Sequence, residues 1–230
     1  MRFAAVIFDL DGTLLDSLED LADGVNVVLA ARGMPTHPVA AFRHFVGDGV
    51  VNLVRRAAPP GLPEAVLREL LEGVRAEYGR RWDAKSRPFP GVPEMLDALA
   101  GAGVRLALLS NKPDAFTQLC AQRFFAPWSL SPARGARDGV PLKPDPAAAL
   151  ALAGEMGLAP ADILFAGDSD VDVLTGKNAG MFAAGVLWGN RGAAELAAAG
   201  ADRLFSGPAA LARFVLGAPD GASGLETDHA

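Results

Sequence analysis

The sequence predicts an α/β fold: a Rossmann-like doubly wound parallel sheet with an inserted helical bundle. Short apolar runs ending in small or polar residues recur at 3–10 (FAAVIFDL), 104–111 (VRLALLSN), 163–169 (ILFAGDS), 182–189 (FAAGVLWG) and 202–207 (DRLFSG), and read as buried strands. Helical patterns at 93–103, 114–125, 146–157, 172–180 and 193–200 alternate with the strands, several of them closed by Gly. Such alternation is the mark of a parallel sheet covered on both faces. From 16 to 87 the alternation stops, and only helical stretches such as SLEDLADGVNVVLAARG, PVAAFRHF, GVVNLVRRAA and EAVLRELLEGVRAEYGRRW follow one another.

This interval of roughly seventy residues is large enough for a small separate domain. The expected organisation is therefore an α/β core over 1–15 and 88–217 and a helical domain over 16–87. The joins fall near Leu14–Asp16 and Lys85–Gly91, where KSRPFPG carries two prolines and a glycine. Asp16 or Ser17, followed by Glu19 and Asp20, fits a helix N-cap and first turn, with Asp16 the expected cap. Residues 218–230, small, polar and Gly-containing, read as a frayed tail.

Half of the 230 residues are hydrophobic, enough for a sizeable core. A net charge of −6 without any Lys/Arg-rich block gives no electrostatic footprint for nucleic acid or for an anionic membrane surface, so small soluble partners are expected. The single cysteine, Cys120, has no second thiol to pair with and reads as a small buried apolar residue. MRFAAVIFDLDG becomes acidic too soon for a signal peptide or a membrane span, and the expected location is cytoplasmic, as a monomer or homodimer.

Ligands of an open parallel sheet bind outside the carboxyl ends of its strands, where strand order reverses. The polar residues that end the apolar runs, Asp9 and Asp11, Ser110 and Asn111, and Asp168, therefore belong on one edge. Each also fits a plain structural role. DLDGT (9–13) fits a turn whose acids cap a helix, and Ser110–Asn111 fits a turn or N-cap. Lys143 fits a solvated lysine before a Pro-initiated helix, and Asp168 and Asp172 fit first-turn acids facing the helix dipole. Those separate roles leave the joint order of the motifs unexplained.

With DLDGT (9–13), SN (110–111), KP (143–144) and GDSDVD (167–172) in that order, the sequence resembles a haloacid dehalogenase-superfamily phosphohydrolase over residues 3 to about 216. The helical insert sits where that superfamily carries its first type of cap. The resemblance implies that Asp9 is the nucleophile, forming an aspartyl-phosphate, and that Asp11 is the general acid and base. It implies that Gly12, Thr13, Ser110 and Asn111 receive the phosphoryl oxygens and that Lys143 offsets their charge. A Mg²⁺ ion would be held by the Asp9 carboxylate, the Asp11 backbone carbonyl and the Asp168 carboxylate, with Asp172 and Ser169 supporting from behind.

The insert should choose the leaving group, because the core handles only phosphate. Gly47 and Gly49, in HFVGDGVVNLVRR (44–56), precede a helical pattern and could present backbone amides to an anion; an ordinary glycine turn fits as well. This loop, and VLWGNRGAAELAAAGAD (186–202), resemble the corresponding stretches of phosphoglycolate phosphatases. Arg43 is the candidate cation for a substrate carboxylate. The expected activity is hydrolysis of a small phosphorylated metabolite, with 2-phosphoglycolate leading. A β-phosphoglucomutase-like phosphomutase would share every core residue. A phospho-accepting receiver module is the alternative outside enzymes, and Asp11 and the helical insert argue against it.

Overall fold

The computed structural model describes residues 1–218, and the expected tail beyond them, 219–230, lies outside the described residues. The chain opens with strand β1 (Ala5–Phe8) and the two-residue strand β2 (Leu15–Asp16), then enters helices α1 (Leu18–Ala31), α2 (Gly49–Ala57) and α3 (Glu64–Tyr78). It returns through β3 (Arg87–Pro88), α4 (Val92–Gly101), β4 (Arg105–Pro113), α5 (Asp114–Phe125), β5 (Ala133–Ala136) and α6 (Ala147–Glu155). It ends with β6 (Ile163–Gly167), α7 (Asp170–Asn178), β7 (Phe182–Val186), α8 (Ala193–Ala198), β8 (Arg203–Phe205) and α9 (Pro208–Leu216).

Six strands form one sheet in the order β5-β4-β1-β6-β7-β8, and all of its ladders are parallel. β1 is the pivot: Phe8 lies opposite Leu108 on one side and Ala166 on the other. A strand flanked on both edges and covered on both faces can bear no polar side chain, which is why AVIF is wholly buried. Side-chain parity sorts the two faces. Val6, Phe8, Leu106, Leu108 and Leu164 pack with Leu96 of α4 and Leu211 of α9, whereas Ala5, Ile7, Ala107, Ile163 and Phe165 pack with Leu152 of α6. The chain winds outward from β1 through β4 to β5, then crosses back to β6. The crevice for a ligand therefore lies between the carboxyl ends of β1 and β6.

The inserted helices have their own core, including Val25, Leu29, Phe42, Leu53, Val54 and Leu70. Within the insert, a 3-10 helix, Val39–His44, follows Pro38. The two crossings to the sheet are tied together: β2 and β3 pair antiparallel, Leu15 with Pro88 and Asp16 with Arg87. Asp20 strengthens this joint by accepting from the Lys85 amide, the Ser86 amide and the Ser86 hydroxyl, at 3.0, 2.8 and 2.7 Å. The expected cap at Asp16 is corrected here. Asp16 belongs to β2, Ser17 holds the N-cap position, and the Ser17 hydroxyl is drawn away from the helix by the carboxylate of Asp11.

Candidate active site

Asp9 is the first residue past β1 and Asp168 the first past β6, so the two crossover edges deliver their acids to the crevice. Gly12 makes the approach possible. Its φ of +95° suits glycine, and a Cβ there would stand 2.2 Å from Asp168 Oδ2. Gly189 and Gly167 leave similar room, since a Cβ would come within 2.4 Å of Asp168 Cβ and 2.1 Å of Asp172 Cβ respectively. Asp9, Asp168 and Asp172 are buried, and each can offer an oxygen such that all three lie within 4.8 Å of one another.

One lysine serves this cluster. Lys143, itself buried, donates to Asp9 Oδ1 at 2.7 Å and to Asp172 Oδ1 at 2.5 Å. Burial opposes its charge, but Asp172 and Asp9 together raise its pKa above the ordinary lysine range. The clasp is set by Asn111, whose side chain accepts from the Lys143 amide at 2.9 Å and donates to the Lys143 carbonyl at 3.1 Å. Asp172 is fully engaged: its second oxygen takes the Ser169 amide and hydroxyl, a capping box that starts α7.

Asp9 and Asp168 remain under-compensated. Burial pushes the Asp9 carboxyl up to about 7, against the pull of Lys143. Burial, then the charges of Asp172 and Asp9, push Asp168 well above the usual carboxylate range, although the Asn190 amide donates to its Oδ2 at 2.7 Å. Three buried carboxylates facing one ammonium leave excess negative charge in a low-dielectric pocket, an arrangement suited to a hard divalent cation. The donor set thus fits a metal ion between Asp9 and Asp168. Asp172 adds a third oxygen to the cluster but spends it on Lys143.

Asp11 stands apart from that group. Its carboxylate accepts from Ser17 Oγ at 2.5 Å and from Lys112 Nζ at 2.9 and 3.0 Å, one contact to each oxygen. Lys112 is buried, and its Nζ lies 4.8 Å from the centre of the Tyr78 ring at the end of α3. Burial opposes the charge of Lys112, but its neighbours, Asp11 foremost, together raise its pKa.

The acids open into a cavity of about 70 Å³ between sheet and insert. Asp9, Asp11, Ser110, Asn111, Lys143, Asp168, Ser169, Asp172, Gly47 and Gly49 all line it. Gly12, Thr13 and Arg43 do not. Gly12 sits against Asp168 and Asn190, and Thr13 is fully buried with its hydroxyl unpartnered. Arg43 projects from the 3-10 helix into solvent, so the structure does not bring it to the cavity. Gly47 presents its carbonyl, not its amide, to Asn111, which donates to it at 3.1 Å.

The polar lining residues Lys112, Tyr78, Arg75 and Asn190 were not singled out for the site by the sequence. Strand parity was the available signal for the first, because Ser110 and Lys112, two apart in an extended run, share one side. Tyr78 and Arg75 lie in a helical pattern whose cavity-facing side only the tertiary packing reveals. Arg191 also lines the cavity and reaches the insert, where it contacts His44 Nδ1 at 2.9 Å and donates to the Val46 carbonyl at 3.1 Å.

Three buried carboxylates and a lysine at the switch point of a doubly wound sheet, beneath a helical insert, form a site of the kind a hydrolase uses. The comparisons agree. The family model described as haloacid dehalogenase-like hydrolase matches residues 3–180, and the chain belongs to that family. It is 38% identical over 194 residues to the phosphoglycolate phosphatase of Pseudomonas putida, covering 80% of this chain and 69% of that one. It is 33% identical over 221 residues to the phosphoglycolate phosphatase of Mannheimia succiniciproducens, covering 93% and 99%. The crystal structure of a predicted phosphoglycolate phosphatase from Haemophilus somnus superposes with a TM-score of 0.86 at 31% identity, covering 93% of this chain and 98% of that one.

Proposed function

We propose that this protein is a Mg²⁺-dependent phosphatase that converts 2-phosphoglycolate and water to glycolate and phosphate. The observation that carries the reading is the pair Asp9 and Asp168, buried side by side beneath a capped cavity, with Lys143 donating to Asp9. The similarity to phosphoglycolate phosphatases over most of the chain supports the choice of substrate.

Uncatalysed phosphate-monoester hydrolysis is extremely slow, so the enzyme must align the attack and balance charge on the transferred group. Asp9 attacks phosphorus, the bond to the leaving oxygen breaks, and the electron pair stays on that oxygen, which takes a proton from Asp11. Asp11 then accepts a proton from the water that attacks the aspartyl-phosphate, releasing phosphate and restoring Asp9. Lys143 balances charge on the phosphoryl oxygens from the Asp9 side, and Ser110 and Asn111 bind those oxygens. Asp9, Asp168 and the Asp11 backbone carbonyl would hold Mg²⁺, which supplies positive charge to the phosphoryl oxygens and lets neighbouring carboxylates ionise together. Asp172 and Ser169 keep Lys143 in place. The partner is the small phosphorylated metabolite, and the protein acts in the cytoplasm as a monomer or homodimer. Among the described residues, no helix is long and apolar enough to cross a membrane.

The test is a screen of phosphorylated metabolites by phosphate release, with and without Mg²⁺, ranked by kcat/KM. Phosphoglycolate is expected at the top, with turnover abolished by chelator and reduced about 10⁴-fold in Asp9→Asn. A different best substrate overturns the assignment of substrate, and near-normal turnover in Asp9→Asn overturns the mechanism.

A further inference from the structure

The leaving-group end of the cavity holds a cation that the core chemistry does not explain. Lys112 is buried, with its side chain 3% exposed, and its Nζ donates to both oxygens of Asp11. The acid required for proton transfer is thus held at both carboxylate oxygens, one of them also by Ser17. Above Lys112 stands Tyr78, a buried cavity-lining residue whose hydroxyl interacts with Lys112 but makes no well-formed hydrogen bond. Burial keeps that phenol well above its usual range, so it offers a proton at neutral pH. A buried donor without a well-formed hydrogen bond costs stability unless something arrives to accept from it. One helical turn earlier on α3, Arg75 lines the same cavity, is exposed, and forms no ion pair among the described residues.

These donors face the cavity, and in this protein the partner that occupies Lys112 is its own carboxylate. We propose that Lys112 and the Tyr78 hydroxyl are the recognition site for a carboxylate on the leaving group, and that this carboxylate takes the place of Asp11 on Lys112, freeing Asp11 to take up a proton from solvent and deliver it to the leaving oxygen. Arg75 draws the anion in at the rim. A substrate lacking the carboxylate leaves Asp11 tied to Lys112 and Ser17. Selectivity then enters through the availability of the acid as well as through binding. The inference rests on the reading of the site as a phosphomonoesterase.

The experiment compares kcat/KM for phosphoglycolate with that for ethyl phosphate, which replaces the carboxylate by a methyl group. The same comparison is run for other carboxylated phosphomonoesters against their methyl counterparts. Lys112→Met should lower the preference for the carboxylated member by about 10- to 100-fold, and Tyr78→Phe by about 10-fold, the worth of hydrogen bonds to a charged group. Lys112→Arg should restore part of it. Tyr78→Phe keeps the test decisive if Lys112→Met does not fold, because removing a hydroxyl that makes no well-formed hydrogen bond leaves the melting temperature unchanged or raised. A purely structural role for the pair would move stability and leave the ratio alone. A ratio within about twofold of wild type in the folded variants overturns the inference while leaving the proposed substrate standing. Preference for a different carboxylated ester, lost in the variants, sinks phosphoglycolate and upholds the inference. No preference for any carboxylated ester in the wild type overturns it.

Discussion

Asp9 binds its proton more tightly in the folded protein than in the unfolded chain, because burial lifts its carboxyl from the ordinary 3.8 to about 7. The sign of the consequence is fixed: this residue's contribution is fully present below the unfolded value and is lost as pH rises through about 7. Asp168 is shifted in the same direction and adds to it. Metal-free protein should therefore lose melting temperature from this source between mildly acidic and neutral pH. Mg²⁺ held by these acids would compete with those protons, so the rise in melting temperature on adding it should be larger at about pH 8 than at about pH 5.5. Equal shifts at the two pH values would show that the buried acids do not hold the ion. At this scale the sequence was informative for Asp9, Asp168, Asp172 and Lys143, whose positions at strand ends and helix starts follow from local pattern. It was silent on Tyr78 and misdirected on Arg43, because a cap side chain reaches the cavity only through the packing of helices far apart in the chain.

The strands and their following loops converge on the crevice only where side chains are missing. The loop after β7 passes so close to the start of the chain that a Cβ on Gly189 would lie 2.2 Å from the Gly12 carbonyl oxygen. The Trp188 indole fixes the same loop by donating to the Thr13 carbonyl at 2.8 Å. Gly189→Ala should displace Asp168, raising the Mg²⁺ concentration needed for half-maximal activity by about 10-fold and costing about 1–3 kcal/mol of stability. Metal titration and thermal melts read the two effects, and an unchanged metal requirement would mean that the loop yields without moving the acid. Most elements were legible because their patterns are long and regular, β1 and β6 above all. β5 was not: ARGA has no β-branched or aromatic residue, and it joins the sheet at an edge through β4. β2 and β3 are two residues each and carry no periodic signal.

Across the whole molecule, the insert is tied to the core at the cavity and at the β2–β3 joint. Arg191 meets His44 and the Val46 carbonyl, and Asn111 meets the Gly47 carbonyl, while the β2–β3 ribbon closes the joint. The Arg191 contacts are few and polar, so they can be exchanged for water as substrate enters. Arg191→Ala should loosen the cap, raising KM several-fold and speeding limited proteolysis in the 85–91 joint; cutting at the wild-type rate would show that these contacts do not restrain it. The alternation of strand and helix made the doubly wound sheet readable from sequence, as did the run of helices for the insert. The grip between them was not, since it depends on residues from separate elements meeting in space. The paired crossings carry a last consequence. With Leu15 opposite Pro88 and Asp16 opposite Arg87, the chain leaves the sheet and rejoins it at one point. The insert is therefore a cassette: the sheet needs only that its two ends arrive adjacent, whatever bundle lies between. Under the proposed function, a different bundle could bring a different substrate without disturbing the acids at the strand ends.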